Sequence, residues 1–450
     1  MRIHRPIVLL SALAGFVAAA EPLPLSTSFW RDEAFLKSFN GSYRIEARIE
    51  PNVSTEERGL LVEVQNLMQA GKRKDALAKL KGSSLTAKSA ALTFNLGNLY
   101  FEEGDLEEAE KAYRKAIADY PSFRRAHRNL GVVLVRLDKI EDAMKHLVEA
   151  VRLGDSDGAT YGLLGYGRLQ QGEFASALQA YRMAQVADPE AVEWKAGVAQ
   201  CLQALEAKDE AVALLDEVIR RRPEEAGYAL LQAGLLIELA RQDDAIKVLE
   251  LPRRLGRLDG NGLLLLAELN LRALRPNEAL EIVKEAFATS EKPADERVLS
   301  VLGYACAVRE WTVARLLLEK AGEGREGPLP RAFVFAGAKL AIDSGEDVEA
   351  GAESMKKLID EDPTDGMALL ELAKYEISRG KAGEGELLLE RATAVEESAA
   401  DAWVELARLR VSEARYGAAL KAVDEALKRR PGGSLETYRE SLRQLAEAAE

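Results

Sequence analysis

Small residues recur every 34 positions through much of this chain, at Gly97, Gly131, Gly165, Ala199, Ala233 and Ala267, and a second series keeps the same step at Ala109, Ala143, Ala177, Ala211, Ala245 and Ala279. A fixed period of that length constrains a fold more than composition does. It requires one supersecondary unit copied many times, because a single unit cannot bury its own apolar face. Large apolar residues travel with the small ones: Leu96, Leu130, Leu164, Val198 and Leu266 precede the first series, and Tyr113, Leu147, Tyr181, Leu215, Leu249 and Val283 follow the second by four. Within each unit the apolar positions keep helical spacing. A polar turn such as Glu103-Gly104-Asp105 or Gln171-Gly172-Glu173 divides two runs of about 14 residues. Pro121, Pro189, Pro223 and Pro431 stand where second helices close. Each unit is predicted to be an α-hairpin whose small residues let its helices approach while the large ones fill the gap to the next.

This pattern resembles the tetratricopeptide repeat, W-x2-L-G-x2-Y, then A-x3-F, then A and P. The unit from Ala90 carries Leu96, Gly97, Tyr100, Ala109, Tyr113, Ala116 and Pro121 in that register, and the unit from Ala400 carries Trp403, Leu406, Ala407, Ala419, Ala426 and Pro431. About eleven units follow, starting near Glu57, Ala90, Arg124, Gly158, Val192, Ala226, Gly260, Glu296, Ala332, Gly366 and Ala400. The resemblance covers residues 57–433 and implies an all-α, right-handed superhelical solenoid. Residues 434–450 are expected to cap it as a further helix, with Leu435, Tyr438, Leu442 and Leu445 on one face. The register weakens at three places. Pro252 falls inside a second helix, which it is expected to end or kink; Gly303 arrives 36 residues after Ala267; and the unit from Ala332 lacks the paired small residues.

The two ends do not repeat. Arg2, His4 and Arg5, an apolar run from Ile7 to Val17, and Ala18-Ala19-Ala20 before Glu21 read as a cleavable export signal over residues 1–20. The apolar run is shorter than the roughly 20 residues of a membrane helix, and Phe16 stands where a bacterial lipobox would place its cysteine. The expectation is an exported, periplasmic or extracellular protein that does not span a membrane. Removing Arg2 and Arg5 from 61 basic residues leaves 59 against 74 acidic ones, a balance that disfavours nucleic acid and anionic lipid as partners. Cys201 and Cys306, three repeat layers apart, are predicted to be buried, unpaired thiols. Residues 21–54 are rich in aromatics, with Phe29, Trp30, Phe35, Phe39 and Tyr43, and Tyr43, Ile45, Ala47 and Ile49 alternate as in a short strand. Two readings stay open: an arm packed on the first hairpin, or a docking segment that adds to a partner's sheet.

Chemistry-bearing patterns are sparse. Past the signal only His127 and His146 remain as histidines, and there is no HExxH, CxxC, G-x-S-x-G or P-loop, so no catalytic, cofactor or metal residue is assigned. Gly322, Gly324 and Gly327 spell GxGxxG, but they follow a helical run and lead into Pro328 and Pro330, which predicts a loop and not a dinucleotide site. Of the basic runs Arg220-Arg221-Arg222, Arg253-Arg254 and Lys428-Arg429-Arg430, two lie in the last turn of a second helix, where cations meet the helix dipole. His127 and His146 share a hairpin and read as packing or surface residues.

The resemblance also implies a groove lined by the first helices, through the second, fifth, sixth and ninth positions of each unit. Transferred to this register, those positions are polar near the N-terminal end, at Asn95, Asn98, Arg125, Arg128 and Asn129, and apolar or small in the centre, at Leu163, Tyr166, Leu230, Leu231, Gly234, Leu264, Leu265, Val301 and Tyr304. The family's carboxylate clamp is matched only at Asn98 and Asn129, since Phe94, Ala159 and Leu163 replace its cations. A looser use is expected, with the amides and Arg125 or Arg128 meeting a peptide backbone. The central side chains either offer apolar anchors or cover one another. The sequence thus predicts a non-catalytic, exported scaffold or adaptor that binds protein or peptide partners in an envelope export, assembly or energy-transduction complex, without cofactor or small-molecule substrate. A holdase-like periplasmic chaperone, or a non-catalytic subunit of an envelope enzyme such as a polysaccharide-handling complex, are the alternatives.

Overall fold

The computed structural model describes Leu23, Leu25, residues 27–31, 35–36 and 50–449. The predicted export signal at 1–20 and the alternating segment at 43–49 lie outside the described residues. Among those residues the structure is all-helical, and eleven antiparallel helix pairs follow one another from Thr55 to Arg429. The leading helices begin at Thr55, Ala90, Arg124, Gly158, Val192, Ala226, Gly260, Asp295, Arg331, Gly366 and Glu396, within four residues of every predicted start. Chain contacts divide the protein into two compact units, one ending at Arg257 and the other beginning at Leu258.

Local chemistry accounts for the hairpin ends. Each inner turn places at least one residue in the left-handed region: Gly71, Gly104, Asp138, Gly172, Glu206, Ala240, Leu274, Arg309, Gly345 with Asp347, Gly380 and Ala414. That conformation reverses the chain while the orphan carbonyls of the leading helix stay bonded, as when Lys139 N–H donates to Leu134 C=O and Asp138 N–H to Val135 C=O. Side chains cap several helices. Ser54 and Glu57 form a reciprocal capping box, and the Asp259 and Asp365 carboxylates accept from the Gly262 and Ala368 N–H groups. Returning helices end at Asp119, Ala187, Arg221 and Arg429, two residues before the prolines that mark them in the sequence. Pro252 sits in the last turn of Gln242–Arg254, and that helix runs on for two residues past it. The basic runs close three returning helices, and GxGxxG lies at the end of Trp311–Gly322 and in the loop after it.

Within the unit ending at Arg257, the predicted small-to-large contacts are the ones that form. A Cβ on Gly97 would meet the Tyr113 ring at 2.7 Å, on Gly131 the Leu147 side chain at 2.5 Å, and on Gly165 the Tyr181 ring at 2.7 Å. Tyr181 also lies against Gly197 of the following hairpin, so one ring locks two repeats. Cys201 is fully buried in this unit, and burial pushes its thiol up to about 12. The His127 and His146 rings are tilted 37° to one another with Nδ1 atoms 3.1 Å apart, and His127 Nε2 lies 3.0 Å from Pro121 C=O. The carbonyl can only accept, so His127 carries its proton on Nε2, and His146 donates from Nδ1.

In the unit from Leu258, the hairpins from Arg331 onward share one apolar cluster built on Met355, Leu369, Leu389, Leu406 and Val423. Gly433–Ala449 packs on the last hairpin through Leu442 and Tyr438, whereas Leu445 is exposed, so only part of the predicted apolar face is used. No helix among the described residues is long and apolar enough to cross a membrane.

Two mid-helix glycines separate packing from propensity. Gly162→Ala would drive a methyl to 2.5 Å from the rigid Trp194 ring, while Gly234 has nothing within 4 Å. We expect Gly162→Ala to cost about 1–3 kcal/mol through overpacking and Gly234→Ala to add about 0.5–1 kcal/mol by helix propensity; urea melts of the two variants measure both. Burial first, and then the facing His127, holds His146 down to about 4 from its ordinary 6.5. The folded state keeps this ring neutral, so its stability contribution is complete above the unfolded value and lost as pH falls from about 6.5 toward 4. After screening at a half-buried group, His146→Gln should flatten the fall in unfolding free energy between pH 7 and 4.5 by about 1–2 kcal/mol.

Candidate functional site

The leading helices carry the positions expected to face a partner, and the structure sorts them. In the N-terminal unit the amides are committed internally. Tyr113 Oη donates to Asn98 Oδ1 at 2.6 Å, Asn129 Nδ2 donates to the same oxygen at 3.0 Å, and Arg128 Nε donates to Asn129 Oδ1 at 3.3 Å. Asn129 is 0% exposed, and Asn98 and Arg128 are also buried. The expectation that these three meet a peptide backbone is therefore corrected: they satisfy the polar interior between two hairpins. Asn95 is half-buried and donates to Ala91 C=O of its own helix at 2.7 Å.

The central apolar set divides as well. Leu163, Leu264 and Leu265 are 0%, 0% and 1% exposed and Val301 is 0%, so these four are core and not surface anchors. Leu230, Leu231, Tyr166 and Tyr304 stay partly accessible. Tyr304 lies under the Arg272 guanidinium, 4.2 Å from the ring centroid, and Arg272 in turn binds Glu268 at 2.6 Å. The other Glu268 oxygen is 2.9 Å from Arg297, which is buried too.

The N-terminal segment is seated along these same leading helices. Leu23 N–H donates to Gln200 Oε1 at 3.2 Å, and the Leu23 side chain packs with Val192, Ala196 and Tyr228. Phe29 meets Trp194 edge to face at 5.2 Å, and Arg136 stacks between Trp30 at 5.6 Å and Phe101 at 5.0 Å. A cavity of about 770 Å³ remains beside Trp30, with Tyr166 and Phe101 in its wall. Glu50 is buried and holds Arg125 with both oxygens, one of them at 2.7 Å from Nε. The arm is thus not confined to the first hairpin; its described residues touch the third, fifth and sixth.

The second unit holds an open cleft that the transferred positions missed. It measures about 840 Å³, and its wall comes from three consecutive leading helices: Leu299, Leu302, Gly303, Cys306 and Ala307; Ala332, Phe335 and Ala336; and Met367. Charged groups at its edge pair with one another, Arg331 with Asp365 at 2.5 Å and Lys339 with Asp343 at 3.1 Å. Cys306 is a free thiol as expected but only half-buried here, which corrects the expectation of burial, and desolvation raises it to about 11. Gly303 occupies the small position of its repeat, yet nothing lies within 4 Å of its Cβ direction, and the next unit carries Lys339 where a small residue is expected. The cleft opens where the repeat departs from its pattern, and that departure is the sequence signal for it.

Family models described as tetratricopeptide repeat match residues 61–121, 94–158 and 370–434, and a second such model matches 168–235. No curated protein matches the chain. Among solved structures, residues 41 to the end of MamA from Desulfovibrio magneticus RS-1 align at 18% identity over 38% of this chain and 96% of theirs, with a TM-score of 0.35. A tetratricopeptide repeat protein from Parabacteroides merdae aligns at 17% over 58% of this chain and 98% of its own, TM-score 0.40, and PilF of Pseudomonas aeruginosa at 20% over 45% and 93%, TM-score 0.38.

The platform under Tyr304 is testable. Removing the Glu268 charge takes a carboxylate at 2.9 Å from the buried Arg297, so Glu268→Gln should destabilise the protein by about 3 kcal/mol in chemical denaturation, and adding Arg297→Met should restore most of the loss.

Proposed function

Because the chain belongs to the tetratricopeptide repeat family, we propose that it is an exported scaffold that holds protein partners in the cell envelope, and that the apolar cleft of its second unit is a principal docking surface. The observation that carries this reading is the cleft itself. Gly303, Ala307 and Ala332 are exposed within it and Met367 is 40% exposed, so apolar surface normally covered by a neighbouring helix is open to solvent. An apolar helix or extended segment of a partner would fit it, with the paired charges of the edge setting orientation. Each large side chain buried there contributes roughly 1.5–3 kcal/mol. About four such anchors, set against an association cost on the order of 4–15 kcal/mol, give micromolar binding. Tyr304, Leu230, Leu231, Tyr166 and Asn95 are the partly accessible remainder of the transferred groove positions and extend the partner-facing surface of their own units, while Arg125 is committed to Glu50. The export signal at residues 1–20 supports the location.

A photo-crosslinking residue at Met367 in intact cells tests the reading. One defined envelope protein should be captured, and Gly303→Glu, which puts a charge into open apolar space without a clash, should reduce capture at least ten-fold. The mature protein should begin at Glu21 by mass spectrometry. Undiminished capture would remove the cleft as the site; capture of many unrelated proteins would favour the holdase reading; an intact Met1 terminus would refute export.

A further inference from the structure

We infer that the groove of the N-terminal unit is a binding site for an aromatic-bearing polypeptide segment, and that the chain's own residues 23–36 are its built-in competitor. The inference rests on the scaffold reading but concerns a different surface from the cleft. The own segment shows what the groove accepts. Gln200 and Gly227, the ninth and second positions of their units, receive the Leu23 backbone and side chain. Trp194 and Arg136 present an aromatic edge and a cation to Phe29 and Trp30. Phe29, Trp30 and Phe35 form one cluster with centroids 4.9–5.7 Å apart, so the recognised chemistry is a set of closely spaced aromatic rings on one short segment.

Two features mark this occupant as exchangeable. It makes no part of the helix-to-helix interlock, which runs through Gly97, Gly131, Gly165 and their large partners. The site is also larger than its occupant, since the cavity beside Trp30 stays unfilled. A partner segment with the same rings would gain these contacts and the vacant volume, but only by displacing residues 23–36. Its observed affinity is then reduced by the fraction of molecules in which the own segment is seated.

The probe is a fluorescent synthetic peptide of residues 23–36, titrated by anisotropy into the full-length protein. Phe29→Ser with Phe35→Ser in the protein should tighten peptide binding at least ten-fold over wild type. Arg136→Ala added to that variant should weaken it at least three-fold, and a peptide carrying the same two serines should not bind. Trp30→Ala gives the same reading should the double substitution fail to fold. Equal affinity of wild type and variant, or no binding to a variant that melts like wild type, overturns the inference. So does a wild-type dimer in light scattering that the double substitution dissolves, which would make the occupant a second copy's segment. None of these outcomes touches capture at Met367, so failure here leaves the cleft and the scaffold reading standing.

Discussion

The close approach of a small residue on one helix to a large one on its partner is the contact on which this molecule is built. Gly97 under Tyr113, Gly131 under Leu147 and Gly165 under Tyr181 leave no room for a methyl group, so the hairpin angle and the seat of the next hairpin are fixed together. Tyr181, between Gly165 and Gly197, shows how the interlock passes from unit to unit without any long-range contact. Everything else either decorates that stack or departs from it.

The same contact explains what could be read from the sequence. Hairpin boundaries were legible to within a few residues because a residue that must be small is constrained at each repeat, and the polar turns and closing prolines punctuate the intervals. The turns needed no fixed residue: Gly172 and Leu274 serve the same left-handed position, so the period carried the information and turn composition added little. The partner surface was less legible. Transferring groove positions assumes that a leading helix turns one constant face outward, yet Asn129 and Leu163 lie at those positions and are sealed. Burial depends on what stands opposite, and the periodic pattern does not encode it.

The N-terminal segment illustrates that limit. Leu23 and Gln200 are 177 residues apart in sequence, and nothing in Phe29, Trp30 or Phe35 names the helices that these residues meet. The cleft was nearer to hand. Gly303 out of step by two residues and a unit from Ala332 without its paired small residues are the positions where the interlock fails to close, and the apolar wall from Leu299 to Met367 is the result.

A linear stack also determines where function can sit at low cost. In such an array each hairpin is stabilised by its neighbours, and stability is a sum of local terms. Covering every apolar position maximises that sum but leaves nothing for a partner. Leaving Gly303 and Met367 uncovered weakens one stretch of the second unit and creates adhesive surface there. The N-terminal unit keeps its glycine interlock closed and seats Leu23, Phe29 and Trp30 on its leading helices. Those contacts lie outside the interlock of the hairpins, so the two units differ in kind: the second leaves apolar surface open where the repeat breaks its pattern, and the N-terminal one carries on its leading helices a segment that is not part of the repeat.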